Sequence, residues 1–102
     1  MAVEHVVLLA WSPQTGADVR ESAREIARSF PDAIPGVVGV AEGPSVSTEG
    51  LEGAYDYGLV VTFVDEAARD AYLPHPVHQR FVALVAGDAT TQITVFDLLA
   101  RD

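Results

Sequence analysis

Apolar and polar residues follow two periods along the chain, and the pattern predicts four strands and three helices. Short runs rich in Val and Leu, which alternate with polar residues or are apolar on both faces, indicate strands. Runs in which apolar residues recur every three or four positions indicate helices. The predicted strands cover 3–11, 37–42, 55–64 and 91–99, and the predicted helices cover 16–30, 66–73 and 76–86.

Local signals predict where these helices begin and end. Thr15 and Asp18 have the spacing of a capping box at the start of the first helix, and Pro31 is expected to end it. Asp65 is expected to cap the second helix. Pro76 suits the first position of the third helix, because its ring presets a helical φ where no backbone N–H is needed.

The order β-α-β-β-α-β predicts an α+β, ferredoxin-like fold in a single domain over 1–102. In this fold the helices cover only one face of the sheet, yet three of the strands are apolar on both faces. Soluble monomers avoid exposing a large apolar patch. We therefore predict a homodimer in which two sheets pack face to face as a dimeric α/β barrel, and about 800 Å² buried per subunit would be ordinary for such a contact.

Composition and charge exclude several classes of partner and site. The 102 residues carry a formal net charge of −9, with six positive side chains that are all arginine. This argues against nucleic acid and anionic membranes, which require a basic face. The absence of cysteine excludes disulfides and thiolate sites. Because no signal peptide or membrane-spanning run is recognisable, we expect a cytoplasmic location.

Tyr72, His75 and His78 fall on one predicted helical stripe, and three interpretations of it are open. In a structural interpretation, His75 is a turn residue at the helix start and His78 is a half-buried histidine with a satisfied ring. In a second interpretation, both histidines and His5 bind a metal, although no carboxylate at a suitable spacing completes the set. We predict no metal and no cofactor.

The third interpretation of the stripe is acid–base catalysis. If Pro76 is the first helical residue, His78 is the third, where the positive end of the helix dipole disfavours an imidazolium. A general base near pH 7 needs a neutral imidazole. Tyr72 lies one turn away and is suited to hydrogen bond to an oxyanion. On this interpretation His78 and Tyr72 are the catalytic residues.

Four other polar residues are candidate ligand-binding residues of a pocket between helices and sheet. His5 interrupts an apolar strand, and a buried polar group there needs a partner. Tyr57 interrupts the third strand in a comparable way, and a structural hydrogen bond between these two side chains is the alternative. Arg24 belongs either to a solvated helix face or to the mouth of the pocket, where it would meet a ligand carboxylate. His75 is the fourth candidate.

Taken together, these residues resemble the stress-responsive dimeric α/β barrel (Dabb) family over nearly the whole chain. The most specific segment is Tyr-x-x-His-Pro-x-His at 72–78. The other matching positions are His5 with the Val/Leu run after it, Ile-Pro-Gly-Val at 34–37, Gly43-Pro44, Gly53, Tyr55, Val-Thr-Phe at 61–63, Phe81 and Val-Phe-Asp at 95–97. The resemblance implies the fold and the dimer that the strand pattern predicts.

The plant olivetolic acid cyclases of that family align with this chain almost without gaps. They close the ring of a linear polyketide by aldol condensation. The resemblance implies that His78 is the base, that Tyr72 assists it and that His5 lines the pocket. The chain departs from these enzymes at Tyr57, where they have histidine, and at Arg24 and Ala27, where they have bulky aromatic residues. The plant substrate is therefore not carried over.

Three functions are open at this stage. The first is a cofactor-independent cyclase or lyase that acts on a polyketide-like molecule. The second is a non-catalytic, stress-associated dimer that binds a small apolar ligand. The third is a haem-dependent monooxygenase, which this type of barrel also hosts, although the sequence has no clear haem-pocket pattern.

Overall fold

The computed structural model describes residues 1–101 and has the predicted order of elements, with each helical connection divided into two helices. The strands are β1 (Val3–Trp11), β2 (Val37–Pro44), β3 (Tyr57–Phe63) and β4 (Thr90–Leu99). The helices are α1 (Ala17–Arg28), α2 (Phe30–Ala33), α3 (Glu66–Tyr72) and α4 (Pro76–Val85), and a 3₁₀ turn covers Gly87–Ala89.

The four strands form one antiparallel sheet in the order β2-β3-β1-β4. This arrangement confirms the ferredoxin-like α+β fold. Strand β1 lies in the middle, and its register sets His5 opposite Val61 in β3 and opposite Asp97 in β4. Residues from the two ends of the chain are thereby brought side by side.

The core lies between the helices and one face of the sheet. Alternate residues of β1 and β3 point to this face, because successive side chains of a strand point to opposite sides. The strand contribution consists of Val3, Val7, Leu9, Trp11, Val37, Tyr57, Leu59, Val61 and Phe63. The helices add Ala23, Ala27, Phe30, Tyr72, Phe81 and Val85. His5 is buried in this layer among apolar neighbours.

The opposite face of the sheet is apolar and carries no helix of residues 1–101; the loop after β2 reaches over one part of it, where Tyr55 hydrogen bonds to Thr94. Val6, Leu8 and Val60 alternate with the core residues and are only half-buried. On β4, Phe96 is 63% exposed and Leu98 is 41% exposed. Because no helix of the described residues lies on this side, the pattern that suggested a second subunit is present in the folded chain.

The first helix differs from the prediction at both ends. Thr15 and Asp18 do not form a capping box: the N-cap is Gly16, without a side-chain cap, and the Thr15 hydroxyl donates to the carbonyl of Ala89. Pro31 does not end the helix but stands in the first turn of α2. The physical reason is that a proline in a first helical turn lacks only an N–H that would have no partner there.

Two local features set the position of α3 and α4. Gly36 has φ +86°, and a Cβ there would lie 2.5 Å from the Cβ of Ala68, so this glycine permits α3 to pack against the turn before β2. Asp65 caps α3 as predicted, accepting a hydrogen bond from the backbone of Ala68. Pro76 begins α4 as predicted. None of the helices in residues 1–101 has the length and apolar character needed to cross a bilayer.

Candidate active site

An apolar cavity of about 240 Å³ lies between α3, α4 and the β1–β4 side of the sheet. Its polar lining consists of His5, Tyr72 and His78, which the sequence had grouped as candidates. The apolar lining consists of Val7, Leu73, Phe81, Val82, Val85, Ala86, Ile93 and Val95. The structure therefore brings three of the predicted site residues together at one cavity.

The hydrogen bond of His78 fixes the position of its proton. Its Nδ1 lies 2.8 Å from the carbonyl oxygen of Leu73. A carbonyl only accepts, so Nδ1 is the donor and Nε2 carries the lone pair when the ring is neutral. Burial lowers the pKa of His78 below its ordinary value of 6.5, and this outweighs the opposite effect of the Leu73 carbonyl. The ring is therefore neutral near pH 7.

Tyr72 is the last residue of α3 and is 1% exposed. Its ring lies 4.1 Å from the ring of His78 and 5.5 Å from that of His5, between centroids. Burial, and secondarily the charge of Asp97, raise the pKa of the Tyr72 hydroxyl well above its ordinary value. The hydroxyl thus stays protonated and can donate a hydrogen bond at the cavity.

The partner of His5 is Asp97, a residue to which sequence reasoning gave no role. Nδ1 of His5 lies 2.5 Å from Oδ1 of Asp97, and Oδ2 of Asp97 accepts a 2.8 Å hydrogen bond from Arg69 of α3. A signal was available, because Asp97 is an acidic residue that interrupts an apolar strand in phase with Ile93 and Val95. The same signal had identified His5.

Charge on Asp97 follows from its neighbours. Burial raises the pKa of its carboxyl. The hydrogen bonds from His5 and Arg69 lower that pKa by more than burial raises it, so the net pKa lies below the ordinary value. Asp97 is thus ionised at neutral pH. An ionised carboxylate only accepts hydrogen bonds, so Nδ1 of His5 carries a proton.

His75 is the N-cap of α4 and does not line the cavity. Its Nδ1 accepts a 3.1 Å hydrogen bond from the backbone N–H of Val77. This contact satisfies one of the unpaired donors of the first helical turn. The geometry corresponds to the structural interpretation of His75.

Tyr57 and Arg24 lie away from the cavity, at the end of β1 that carries Trp11. Arg24 donates a 3.0 Å hydrogen bond to Glu42, which also accepts one from Arg28. Tyr57 packs against Trp11 with 5.7 Å between ring centroids. Its buried hydroxyl has no hydrogen-bond partner among the described residues. Burial and the nearby Glu42 carboxylate raise the pKa of this hydroxyl.

Metal binding finds no support in the arrangement of the histidines. Within residues 1–101, no cluster of three or more His, Asp or Glu side chains is placed to hold a metal ion. His5 and His78 each use Nδ1 for a protein partner, and His75 uses its Nδ1 for the cap.

Comparison with known proteins defines the family and the fold. Residues 3–99 match the family model of the stress responsive A/B barrel domain. No curated protein matches the sequence. A dimeric ferredoxin-like protein of unknown function from Jannaschia sp. CCS1 is 30% identical, with a TM-score of 0.88 over 98% of this chain and 100% of that one.

Two plant structures are similar in fold at lower identity. A protein of Arabidopsis thaliana is 23% identical, with a TM-score of 0.86 over 98% of this chain and 96% of that one. A hydroxynitrile lyase from Passiflora edulis is 16% identical, with a TM-score of 0.86 over 99% of this chain and 94% of that one. At these identities the likeness shows the fold alone.

Proposed function

The chain belongs to the stress responsive A/B barrel family, and within this family we propose that it is a homodimeric, cofactor-independent enzyme that removes a proton next to a carbonyl group. The concrete form is aldol-type ring closure of a polyketide-like molecule. One observation carries the proposal: His78 keeps its proton on Nδ1 and lines an apolar cavity together with Tyr72.

The state of His78 suits a general base. Its Nδ1 is committed to Leu73, so Nε2 is the nitrogen available to take a proton. Burial keeps the ring neutral near pH 7, and its position in the first turn of α4 acts in the same direction. A base with a pKa close to the working pH is efficient in general-base catalysis.

Tyr72 suits the oxygen on which charge develops. A hydroxyl that stays protonated in an apolar cavity stabilises an enolate oxygen more strongly than it would in water. Its ring is fixed by edge-on contacts with Phe30 and Phe63, at 5.4 and 4.8 Å between centroids. The donor is therefore held in place before the reaction begins.

The proposed step balances within one substrate molecule. Nε2 of His78 takes a proton from a carbon next to a carbonyl, and the electron pair of that C–H bond forms an enolate whose oxygen accepts a hydrogen bond from Tyr72. The enolate carbon then forms a C–C bond to a second carbonyl carbon of the same molecule. The π electrons of that carbonyl pass to its oxygen, which takes the proton back from His78.

Proton exchange in D₂O tests this proposal without knowledge of the natural substrate. Aryl alkyl ketones serve as probes, and ¹H NMR measures loss of the proton next to the carbonyl. The wild-type protein should accelerate exchange, and His78→Gln should lower the protein-catalysed rate by about 10²–10⁴-fold. Gln79→Ala is the matched control, because exposed Gln79 also donates to Leu73 but does not line the cavity.

The same experiment distinguishes the second candidate function, a non-catalytic dimer that binds a small apolar ligand. This candidate is favoured by the hydrogen bond between His5 and Asp97, which alone would explain a buried histidine. Ketones that bind, by ligand-observed NMR, without faster exchange in the wild type would support it. Equal exchange in wild type and His78→Gln would refute the role of His78.

The homodimer is supported by the uncovered sheet face that carries Phe96, and the Jannaschia relative is itself described as dimeric. We expect light scattering to give a mass of two chains. Phe96→Arg should yield monomers, because a charge would be buried in the contact. Ala83→Arg is the control, since Ala83 is exposed on α4, which packs on the other face of the sheet. A monomeric wild type would refute the dimer.

The cytoplasmic location remains a prediction from the sequence. It plays no part in the chemistry proposed for His78.

A further inference from the structure

We propose that Asp97, held by Arg69, is a positioning residue that fixes His5 with its proton on Nδ1 and thereby leaves Nε2 as the free ring nitrogen of a second imidazole at the cavity. The functional meaning of this inference rests on the proposed function of the cavity. The tautomer itself is a property of the folded chain and can be measured without any substrate.

The backbone places the two side chains for this contact. His5 and Asp97 are 92 residues apart in sequence but directly opposite each other in the β1–β4 register. Side chains of such a cross-strand pair point to the same face of the sheet. Nδ1 of His5 and Oδ1 of Asp97 consequently meet at 2.5 Å. Because the ionised carboxylate can only accept, the proton lies on the histidine nitrogen.

Arg69 prevents the carboxylate from turning away. Its Nη1 donates to Oδ2 of Asp97 at 2.8 Å, so both oxygens of Asp97 have partners. Arg69 is held in turn by Asp70, to which its Nε donates at 2.8 Å. Arg69 and Tyr72 are three residues apart on α3 and share a helix face. One short helix therefore positions both the phenol beside His5 and the guanidinium behind Asp97.

Packing alone does not account for a carboxylate at this position. The neighbouring residues of the same β4 row, Ile93 and Val95, are apolar and line the cavity. Asp97 is only partly buried, with 26% of its side chain exposed, and an ion pair at such a position contributes little to stability. The charged group is better explained by the orientation that it imposes on His5, as for other histidines whose tautomer is fixed by a carboxylate.

The result is a cavity with two histidines that each donate from Nδ1 to a protein acceptor. His5 donates from Nδ1 to Asp97 and His78 donates from Nδ1 to Leu73. Each ring keeps Nε2 free of these contacts, and the Tyr72 ring lies next to both of them. His78 has the role of base in the proposed function, and His5 adds a second oriented ring nitrogen for a polar group of the ligand.

Nitrogen-15 NMR of histidine-labelled protein tests the inference directly. In the wild type at neutral pH, His5 should show a protonated Nδ1 and a low-field Nδ1–H proton. In Asp97→Ala, the low-field signal should be lost and the two ring nitrogens should average between tautomers. A wild-type His5 protonated only on Nε2, or an Nδ1–H signature that persists in Asp97→Ala, would overturn the proposal.

Further variants separate positioning from simple stabilisation. Asp70→Asn should leave the His5 signals unchanged, because the amide oxygen can still accept from Nε of Arg69 and the residue does not contact the histidine. Asp97→Asn retains the shape if Asp97→Ala does not fold, and its His5 proton should shift or be lost because an amide can donate to Nδ1. Ketone exchange should fall by about 10–100-fold in Asp97→Asn, the range found where the outer hydrogen-bond partner of a metal-binding histidine is mutated.

These measurements distinguish failure of the positioning role of Asp97 from failure of the proposed function. If the wild type shows no ketone exchange but His5 carries the predicted proton in a state that depends on Asp97, the positioning inference holds and the catalytic proposal is wrong. If exchange depends on His78 but is unaffected by Asp97→Asn, the catalytic proposal holds and Asp97 is structural only.

Discussion

The two ends of the layer between helices and sheet accommodate polar side chains in opposite ways. At the histidine end, defined by His5, Tyr72, His78 and Asp97, polar groups border an open apolar cavity. At the arginine end, defined by Trp11, Arg24, Arg28, Glu42 and Tyr57, charged side chains pair with one another across α1 and β2. A second depression of about 230 Å³, lined by both charged and aromatic side chains, is present there.

The difference lies in what remains free after the internal contacts are made. At the arginine end, Glu42 is held by two guanidinium groups and its side chain is only 7% exposed. No cation of this cluster lacks a carboxylate partner. At the histidine end, Nδ1 of each histidine hydrogen bonds to a protein acceptor, and Nε2 takes no part in these contacts. Polar side chains thus pair with one another at the arginine end, and at the histidine end they border a cavity where a reaction is proposed.

Among the changes that compare the two ends, Tyr72→Phe is expected to have the largest effect, a loss of exchange rate. Loss of one donor to a developing oxyanion costs about 10²–10³-fold in rate. Ketone exchange should fall by that amount, while the melting temperature changes little because the hydroxyl has no partner among the described residues. Tyr57→Phe, the same change at the arginine end, should leave exchange unaltered. Equal losses in both variants would show that the ends act as one site.

The next effect is the pH dependence that His78 imposes. Its folded pKa lies below the ordinary 6.5, so the unfolded chain binds more protons in the window between the two values. The stability contributed by neutral His78 is therefore fully present above the unfolded pKa and is lost as the pH falls through the folded pKa. Exchange activity should fall on the same acid side, because protonated His78 cannot act as a base.

Urea midpoints and exchange rates measured between about pH 5 and 7.5 check this prediction, since that range spans the ordinary histidine pKa. His78→Gln provides the comparison, because the other histidines and the carboxylates titrate equally in both proteins. The difference between the two stability curves should grow in favour of His78→Gln toward acid pH. Parallel curves would show that burial does not perturb His78.

The smallest effect is expected on stability at the arginine end. The Tyr57 hydroxyl is buried without a hydrogen-bond partner, and such a group costs about 1–3 kcal/mol. Tyr57→Phe should therefore leave the melting temperature unchanged or raise it. Thermal unfolding followed by circular dichroism measures this. A clear decrease would show that the hydroxyl bonds to Glu42 in solution.

Much of the fold was predictable because its signals are local. The four strands follow from Val- and Leu-rich runs, the start of α4 follows from Pro76, and the cap of α3 follows from Asp65. The errors lie where a local rule competes with the surroundings. Thr15 was expected to cap α1, but its hydroxyl reaches the carbonyl of Ala89, which lies near it only in the folded chain.

The candidate site was predictable only in part. The structure places His5, Tyr72 and His78 at one cavity, and strand phase and helix position had indicated the direction of each side chain. Tyr57 and Arg24 were grouped with them, but they lie at the other end of the layer. Strand phase gives the face on which a residue lies, but it does not give the distance along the strand to a residue of another element.

The sequence by itself determined the order of the elements, the face on which His5 is buried and the place of His78 in a first helical turn. These properties depend on residues a few positions apart. Only the tertiary structure decided that Asp97 is the partner of His5, that Glu42 forms an ion pair with Arg24, and that a cavity is left beside Tyr72. Each of these depends on register between strands or on packing between helices, where contacts join residues far apart in the chain.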